Sequence, residues 1–187
     1  MMDTAAIKDL FISKGAIKQG HFYRLSGRHT DWYVQCARLF EDHDTAALVG
    51  QELAARLSAY QPDVVLSAAI GGVLPGWEVA RTLNKPLFYC EKRDGALILR
   101  RGFALAPGMK VLLVEDEVST GQSIREMTEI VRALGAQVVA IACVVDKSGG
   151  EAPAEAPLIP LLQLHAQYYS PEHCPMCAAG QPLENLR

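Results

Sequence analysis

Two adjacent carboxylates, Glu115 and Asp116, stand at the end of an apolar run (KVLLV, residues 110–114), and small hydrogen-bonding residues follow them. Ser119, Thr120, Gly121, Gln122 and Ser123 then lead into a segment with helical spacing. A glycine turn at the mouth of a helix presents backbone N–H groups and a partial positive charge, which together hold a phosphate. Carboxylates disfavour the phosphate itself. Glu115 and Asp116 therefore make chemical sense as acceptors for sugar hydroxyls, or as holders of a metal-bound substrate. A solvated acidic turn capped by Ser119 would use the same residue types, but the acids, the hydroxyl-glycine turn and the apolar run together favour a sugar phosphate.

Two further loops carry complementary groups. Residues 67–72 (SAAIGG) include Ala69, Ile70, Gly71 and Gly72, small enough in the main to let backbone approach a ligand closely. Strand-to-helix turns also use Gly-Gly for packing alone. Neither G-x-G-x-x-G nor G-x-x-x-x-G-K-[ST] occurs in the chain. Residues 91–103 (EKRDGALILRRGF) set Lys92, Arg93, Arg100 and Arg101 around a glycine and a short apolar patch. Basic groups on a mobile loop can close over a pyrophosphate and neutralise its leaving-group charge. A solvated hairpin with a basic face is the alternative.

The elements that must position these loops are legible in outline. Residues 63–69, 86–90, 110–114 and 137–146 are short apolar runs without alternation, which implies strands buried on both faces. Helical stretches up to residue 83 and over 123–134 separate them, so the strands pair in parallel. The predicted fold is α/β, a doubly wound, mostly parallel sheet, with ligands outside the carboxyl ends of its strands. Residues 4–14 read as an amphipathic helix with Ile7, Leu10 and Phe11 on one side, followed by turns at Gly15 and Gly20. Residues 45–57 read as a helix capped by Asp44 or Thr45. Residues 20–36 (GHFYRLSGRHTDWYVQC) are polar, aromatic and turn-rich; residues 148–160 read as a flexible surface connection, with a last strand at 161–164.

Length and charge exclude several classes. A chain of 187 residues fits one domain. A net charge of −3 weighs against a nucleic-acid binder while leaving room for a locally positive pocket. No stretch approaches the ~18 apolar residues of a membrane span, and charges recur too often in the first twenty positions for a secretory signal. The five cysteines are scattered and odd in number, which fits reduced thiols in a cytoplasm. The tail His173-Cys174-Pro175-Met176-Cys177 holds a C-x-x-C, but a zinc site needs about four ligands and no second pair occurs. A reduced, structural tail without metal is expected.

The segment 111–123 (VLLVEDEVSTGQS) resembles the phosphoribosyl-pyrophosphate (PRPP) motif of the type I phosphoribosyltransferases. The resemblance implies that Glu115 and Asp116 contact the ribose hydroxyls, that Ser119, Thr120, Gly121, Gln122 and Ser123 wrap the 5′-phosphate, and that Glu117 and Val118 between them also belong to the PRPP-binding stretch. It also implies that Ala69, Ile70, Gly71 and Gly72 form the pyrophosphate loop. Residues 20–37 are similar to the hood of the short bacterial orotate phosphoribosyltransferases, and the similarity reaches the tail HCPMCAAGQPL. A single domain over 1–187 is then expected, with a small hood from 1–40 and the tail 161–187. Tyr33, Val34, Ser119 and Lys147 would bind the base, and Arg93, with Arg100 and Arg101, would serve transfer. Orotate and PRPP as substrates, Mg²⁺ carried by the pyrophosphate rather than by protein ligands, and a homodimer are further implications. The chain departs from the pattern at Glu117, Ser119, Gln122 and Lys147, and its basic loop lacks the usual Lys-x-His-Gly. A different base, or a PRPP-binding regulator without turnover, stays open at this point.

Overall fold

A computed structural model describes residues 1–24 and 26–185; Leu25 of the expected hood and Leu186 and Arg187 of the tail lie outside the described residues. The chain runs α1 (Thr4–Ser13), β1 (Ile17–Tyr23), β2 (His29–Val34), α2 (His43–Leu57), β3 (Val64–Ala68), α3 (Val73–Leu83), β4 (Leu87–Arg93), β5 (Ala96–Leu99) and β6 (Lys110–Val118). It continues through α4 (Gln122–Ala133), β7 (Gln137–Asp146), β8 (Leu158–Gln163), β9 (Tyr168–Tyr169) and α5 (Pro175–Ala178). The main sheet has the order β5-β4-β3-β6-β7-β8, parallel except for the β4–β5 hairpin.

Both faces of that sheet are covered, as the unalternating apolar runs require. Val65, Leu112 and Val114 pack with Val49, Leu53 and Leu57 of α2 and Val79 of α3. Val64, Leu66, Val111 and Leu113 point the other way, onto Ile124, Met127 and Val131 of α4. The chain leaves β3 towards one edge and β6 towards the other, so the β3–β6 neighbour pair is a topological switch point, where open α/β sheets bind ligands.

Local chemistry fixes the helix ends. Asp3 accepts from the Ala6 N–H at 2.8 Å to cap α1, whose Ile7 and Phe11 are buried. The cap of α2 is Asp42, not Asp44 or Thr45: its carboxylate takes the Thr45 N–H at 2.9 Å and the Thr45 hydroxyl at 2.9 Å. The Asp94-Gly95 turn between β4 and β5 has positive φ at both positions, the geometry of a tight hairpin.

Residues 20–36 hold structure that the sequence pattern did not announce. β1 and β2 form an antiparallel hairpin, β9 adds a third strand, and Gly20 lies in β1 beside an irregularity rather than in a turn. The connection after β7 is also better held than its composition suggests. Asp146 is fully buried, and its carboxylate accepts from the Ser148 N–H, the Ser148 hydroxyl and the Gly150 N–H at 2.6–2.8 Å. The strand expected at 161–164 begins earlier, at Leu158. Among the described residues, no helix is long and apolar enough to cross a membrane.

Candidate active site

β6 continues past Val114 because β7 goes on pairing with it. Glu115 lies opposite Cys143, Glu117 opposite Val145 and Val118 opposite Asp146, and the Lys147 N–H donates to the Val118 carbonyl at 2.8 Å. The acids are therefore strand-end residues and not part of an exposed turn. Glu115 is buried, and its Oε1 has no hydrogen-bond partner among the described residues. Burial first, and then the neighbouring Asp116, push its carboxyl up to about 8. Asp116 is raised for the same leading reason, burial.

The glycine loop after β3 meets these acids directly. A Cβ on Gly71 would collide with the Asp116 carboxylate, and one on Gly72 would sit 3.0 Å from the Val114 carbonyl and 3.1 Å from Glu115 Oε2. Two adjoining strands thus bring the sugar-type acids and the small-residue loop together. Only glycine permits that approach. The Ala69–Ile70 peptide is cis, and the Ile70 side chain is exposed.

Beyond the acids, Glu115, Glu117, Val118, Ser119, Thr120, Gly121, Gln122, Ser123 and Ile124 line a cup of about 170 Å³. Gly121 is the N-cap of α4 with φ +71°, and no acidic residue lies in the helix's first turn, so its N-terminal charge is free to hold an anion. A cleft of about 550 Å³ adjoins, lined among others by Ser119, Thr120, Lys147, Arg24, Ser26 and Arg28. A third space, of about 350 Å³, shares Arg24, Ser26 and Lys147 and brings in Tyr33, Val34 and Glu117. The β1–β2 hairpin and the cup at the start of α4 therefore line adjoining spaces that share Lys147 or Ser119 and Thr120.

Lys147 explains two departures from the motif at once. Its side chain is 7% exposed, and Nζ lies 2.8 Å from Glu117 Oε1. The unexpected acid and the lysine form one pair, so Glu117 does not stand as a bare negative charge beside the cup. An ammonium has three donors, and the pair leaves others for a ligand.

The basic residues of 91–103 lie elsewhere. Arg101 is bound to Glu91 through Nη2 at 2.7 Å and Nε at 3.2 Å, and Arg93 lies 3.6 Å from Asp94. Arg93, Arg100 and Arg101 line none of the three spaces around the phosphate cup. The hairpin is nonetheless strapped to α4: Glu126 accepts from the Leu97 N–H at 3.0 Å and from Gln122 Nε2 at 2.8 Å. Glu126 escaped sequence reasoning, although its position one turn beyond Gln122 marks it as a partner. Arg24 and Arg28 were legible only as polar members of a site wall. Both lie over the Tyr168 ring, at 5.0 and 5.8 Å, and Arg28 also donates to the Tyr168 carbonyl at 2.8 Å.

The raised Glu115 carboxyl has a measurable consequence. A carboxyl whose folded pKa exceeds its unfolded one binds more protons when folded. Stability therefore declines as pH rises through the window from about 4.5 to about 8. Glu115→Gln keeps the shape and cannot ionise. It is expected to raise Tm by on the order of 5 °C at about pH 8.5 and by less than about 2 °C at about pH 5. Equal shifts at both pH values would contradict the assignment.

Comparison with known proteins agrees with the geometry. A family model described as a phosphoribosyl transferase domain matches residues 39–167. The chain is 43% identical over 178 residues to an orotate phosphoribosyltransferase of Thermotoga maritima, covering 95% of each chain. It is 38% identical over 183 residues to one from Chlorobium phaeobacteroides, covering 98% of this chain and 95% of the relative. The crystal structure of the Aeropyrum pernix orotate phosphoribosyltransferase superposes with a TM-score of 0.69 at 26% identity, covering 84% of this chain and 93% of that one. With likeness of this degree reaching almost from end to end, the chain belongs to the orotate phosphoribosyltransferase family.

Proposed function

We propose that this chain transfers ribose 5-phosphate from PRPP to orotate, forming orotidine 5′-phosphate and pyrophosphate. The observation that carries the reading is the contact of Gly71 and Gly72 with Asp116 and Glu115 at the switch point of the sheet. The phosphate cup lies on one side of that contact, and the hood lies across the adjoining cleft. Ser119 to Ser123 and the N-terminus of α4 hold the 5′-phosphate. Glu115 and Asp116 accept hydrogen bonds from the ribose hydroxyls, and the backbone of 69–72 lies along the pyrophosphate. Tyr33 and Val34 form the wall for the base, Ser119 reaches the ring edge, and Lys147 pairs with the orotate carboxylate.

The C1′–O bond to pyrophosphate breaks with its electron pair leaving on the pyrophosphate. Orotate N1 forms the new bond to C1′ and its proton is released. Positive charge develops on the sugar in between, so fixed charges and exclusion of water matter more than a single base. The Glu115 carboxyl, raised to about 8, gives up its proton readily once cationic charge arrives.

PRPP would bring Mg²⁺ to the site on its pyrophosphate. The carboxylates of Glu115 and Asp116 are hard oxygen donors of the kind the ion prefers, and Glu115 Oε1 is buried without a partner among the described residues, so the residues fit. When bound, the ion neutralises pyrophosphate charge; the protein groups position the sugar.

Arg93, Arg100 and Arg101 act on a partner's site. The reading is supported by their absence from the lining of their own chain's cleft, and by exposed Leu74 and Trp77 on α3, 51% and 57% exposed, an apolar surface suited to a second copy. Mixing an Asp116→Asn variant with an Arg93→Ala variant should then restore about a quarter of wild-type activity, because half the dimers carry one intact composite site. Activity no greater than the sum of the separate variants would contradict the shared site. A reducing cytoplasm suits the five cysteines, all free.

The activity is tested in a cell. Expressed in a bacterium lacking its own orotate phosphoribosyltransferase, the chain should restore growth without added pyrimidines. No growth, with folded protein present, would contradict the proposal.

A further inference from the structure

Away from the cleft, the far side of the hood gathers four residues that the transfer reaction does not use. His21 lies on β1, His29 opens β2, and Cys174 and Cys177 bracket the start of α5. Their ligand atoms all lie within 4.8 Å of one another, and three of the four residues are buried. His21 Nε2 is 3.4 Å from Cys174 Sγ and 3.7 Å from Cys177 Sγ, and His29 Nδ1 is 3.3 Å from Cys177 Sγ. A tetrahedral zinc with Zn–S near 2.3 Å and Zn–N near 2.0–2.1 Å requires N···S edges of about 3.5 Å. The two imidazole nitrogens, 2.9 Å apart, are slightly closer than such an ion would hold them.

The surroundings fix one ligand further. His21 Nδ1 lies 3.0 Å from the Gln181 carbonyl, which can only accept. Nδ1 therefore carries the proton, and the lone pair of Nε2 faces the sulfurs, the outer arrangement expected of a metal-binding histidine. Two thiols and two imidazoles form a borderline-soft set that suits Zn²⁺ and disfavours Mg²⁺ or Ca²⁺. The expectation of a metal-free tail rested on the want of a second cysteine pair. The hairpin supplies the missing ligands as histidines, about 150 residues earlier in the chain.

We propose that His21, His29, Cys174 and Cys177 bind one Zn²⁺ ion in a closed, structural site that fastens the C-terminal tail to the hood. Backbone bonds already run along the same seam: the Tyr23 N–H donates to the Glu184 carbonyl, and the Glu184 N–H to the His21 carbonyl. All four protein positions are filled, so the ion has no open place for substrate. Its effect on transfer passes through the strands, whose neighbouring residues Phe22, Tyr23, Thr30, Trp32 and Tyr33 line the base side of the cleft. The zinc supports the hood; it does no chemistry. The inference stands whether or not orotate is the acceptor.

Elemental analysis of the intact protein, purified with reductant and without chelator, tests it. About one zinc per chain is expected, with Cys174→Ser/Cys177→Ser binding less than about a tenth of an ion. Should that variant fail to fold, the wild-type chain answers the same question. Stripping with a strong chelator should lower Tm by on the order of 10 °C and expose two further titratable thiols, with zinc restoring both. Cobalt in place of zinc should give thiolate charge-transfer and tetrahedral d–d absorption. The proposal is overturned if zinc-incubated, desalted protein holds no metal and its Tm ignores the chelator. A disulfide between Cys174 and Cys177 in the reduced-purified protein would overturn it equally.

Discussion

Replacing Glu115 by Gln and Asp116 by Asn together should lower kcat/KM for PRPP by about 10²- to 10⁴-fold. A hydrogen bond to a charged group contributes about 1.5–3 kcal/mol. Two such bonds to the ribose hydroxyls amount to about 3–6 kcal/mol, and each 1.36 kcal/mol is tenfold in rate or affinity. Both substitutions keep the side-chain outline, which matters because Gly71 packs against Asp116 and Gly72 against Glu115. The fold should survive, and at alkaline pH it should be more stable than wild type, since a buried carboxyl no longer has to ionise. Loss of PRPP binding with gain of thermal stability is the signature of a functional acid held at a structural cost. Unaltered PRPP affinity, measured by calorimetry, would remove Glu115 and Asp116 from the sugar site.

The second large effect is expected at Lys147. Changing it to Met removes the cation proposed to pair with the orotate carboxylate and also leaves Glu117 unpaired in the same cleft. The first loss alone should raise KM for orotate about ten- to a hundred-fold. The bare Glu117 carboxylate then repels the substrate's own, adding about tenfold more by the same conversion, or about 1.4 kcal/mol. Lys147→Met/Glu117→Gln should recover that second part and not the first, so the double variant binds orotate better than the single one. PRPP affinity should change less than that for orotate in both. If the double variant is no better than the single, Glu117 and Lys147 do not act as a pair towards the acceptor.

Much of this could be read from residue order, and the failures have physical causes. The four inner strands of the main sheet, β4, β3, β6 and β7, were legible because burial on both faces leaves unbroken apolar runs such as QVVAIACVVD, whose bounds as β7 are those of the run, whereas β5 lay within residues read as a basic loop. The end of β6 was not. Glu115 to Glu117 look like a turn, but pairing with β7 holds them in the sheet, and tertiary pairing overrides local polarity. The hood was missed as a sheet because the β1–β2 register is irregular between Gln19 and Phe22. Its outer support, from Glu184 and Gln181, also lies about 160 residues away.

At the site, the paired acids and the Ser-Thr-Gly turn are local features and stand out in the sequence. The pairing of Glu117 with Lys147 spans 30 residues, so spacing alone gave two separate departures from a motif where the fold makes one compensated change. Arg24, Arg28 and Tyr168 meet only through the β2–β9 contact, which no local pattern announces.

The central claim is the acceptor, and one measurement tests it most directly. Purified protein is supplied with PRPP and Mg²⁺ and, in separate reactions, orotate, uracil, adenine or hypoxanthine, and pyrophosphate release is followed with time. A site with a cation set against an aromatic and aliphatic wall should favour the carboxylated pyrimidine, with kcat/KM for orotate at least about 10²-fold above that for uracil, which lacks only the carboxylate. Orotidine 5′-phosphate should accumulate in step with pyrophosphate. Equal or better use of uracil or of a purine would contradict the account of Lys147 and the hood, while release of pyrophosphate with no base at all would contradict transfer itself.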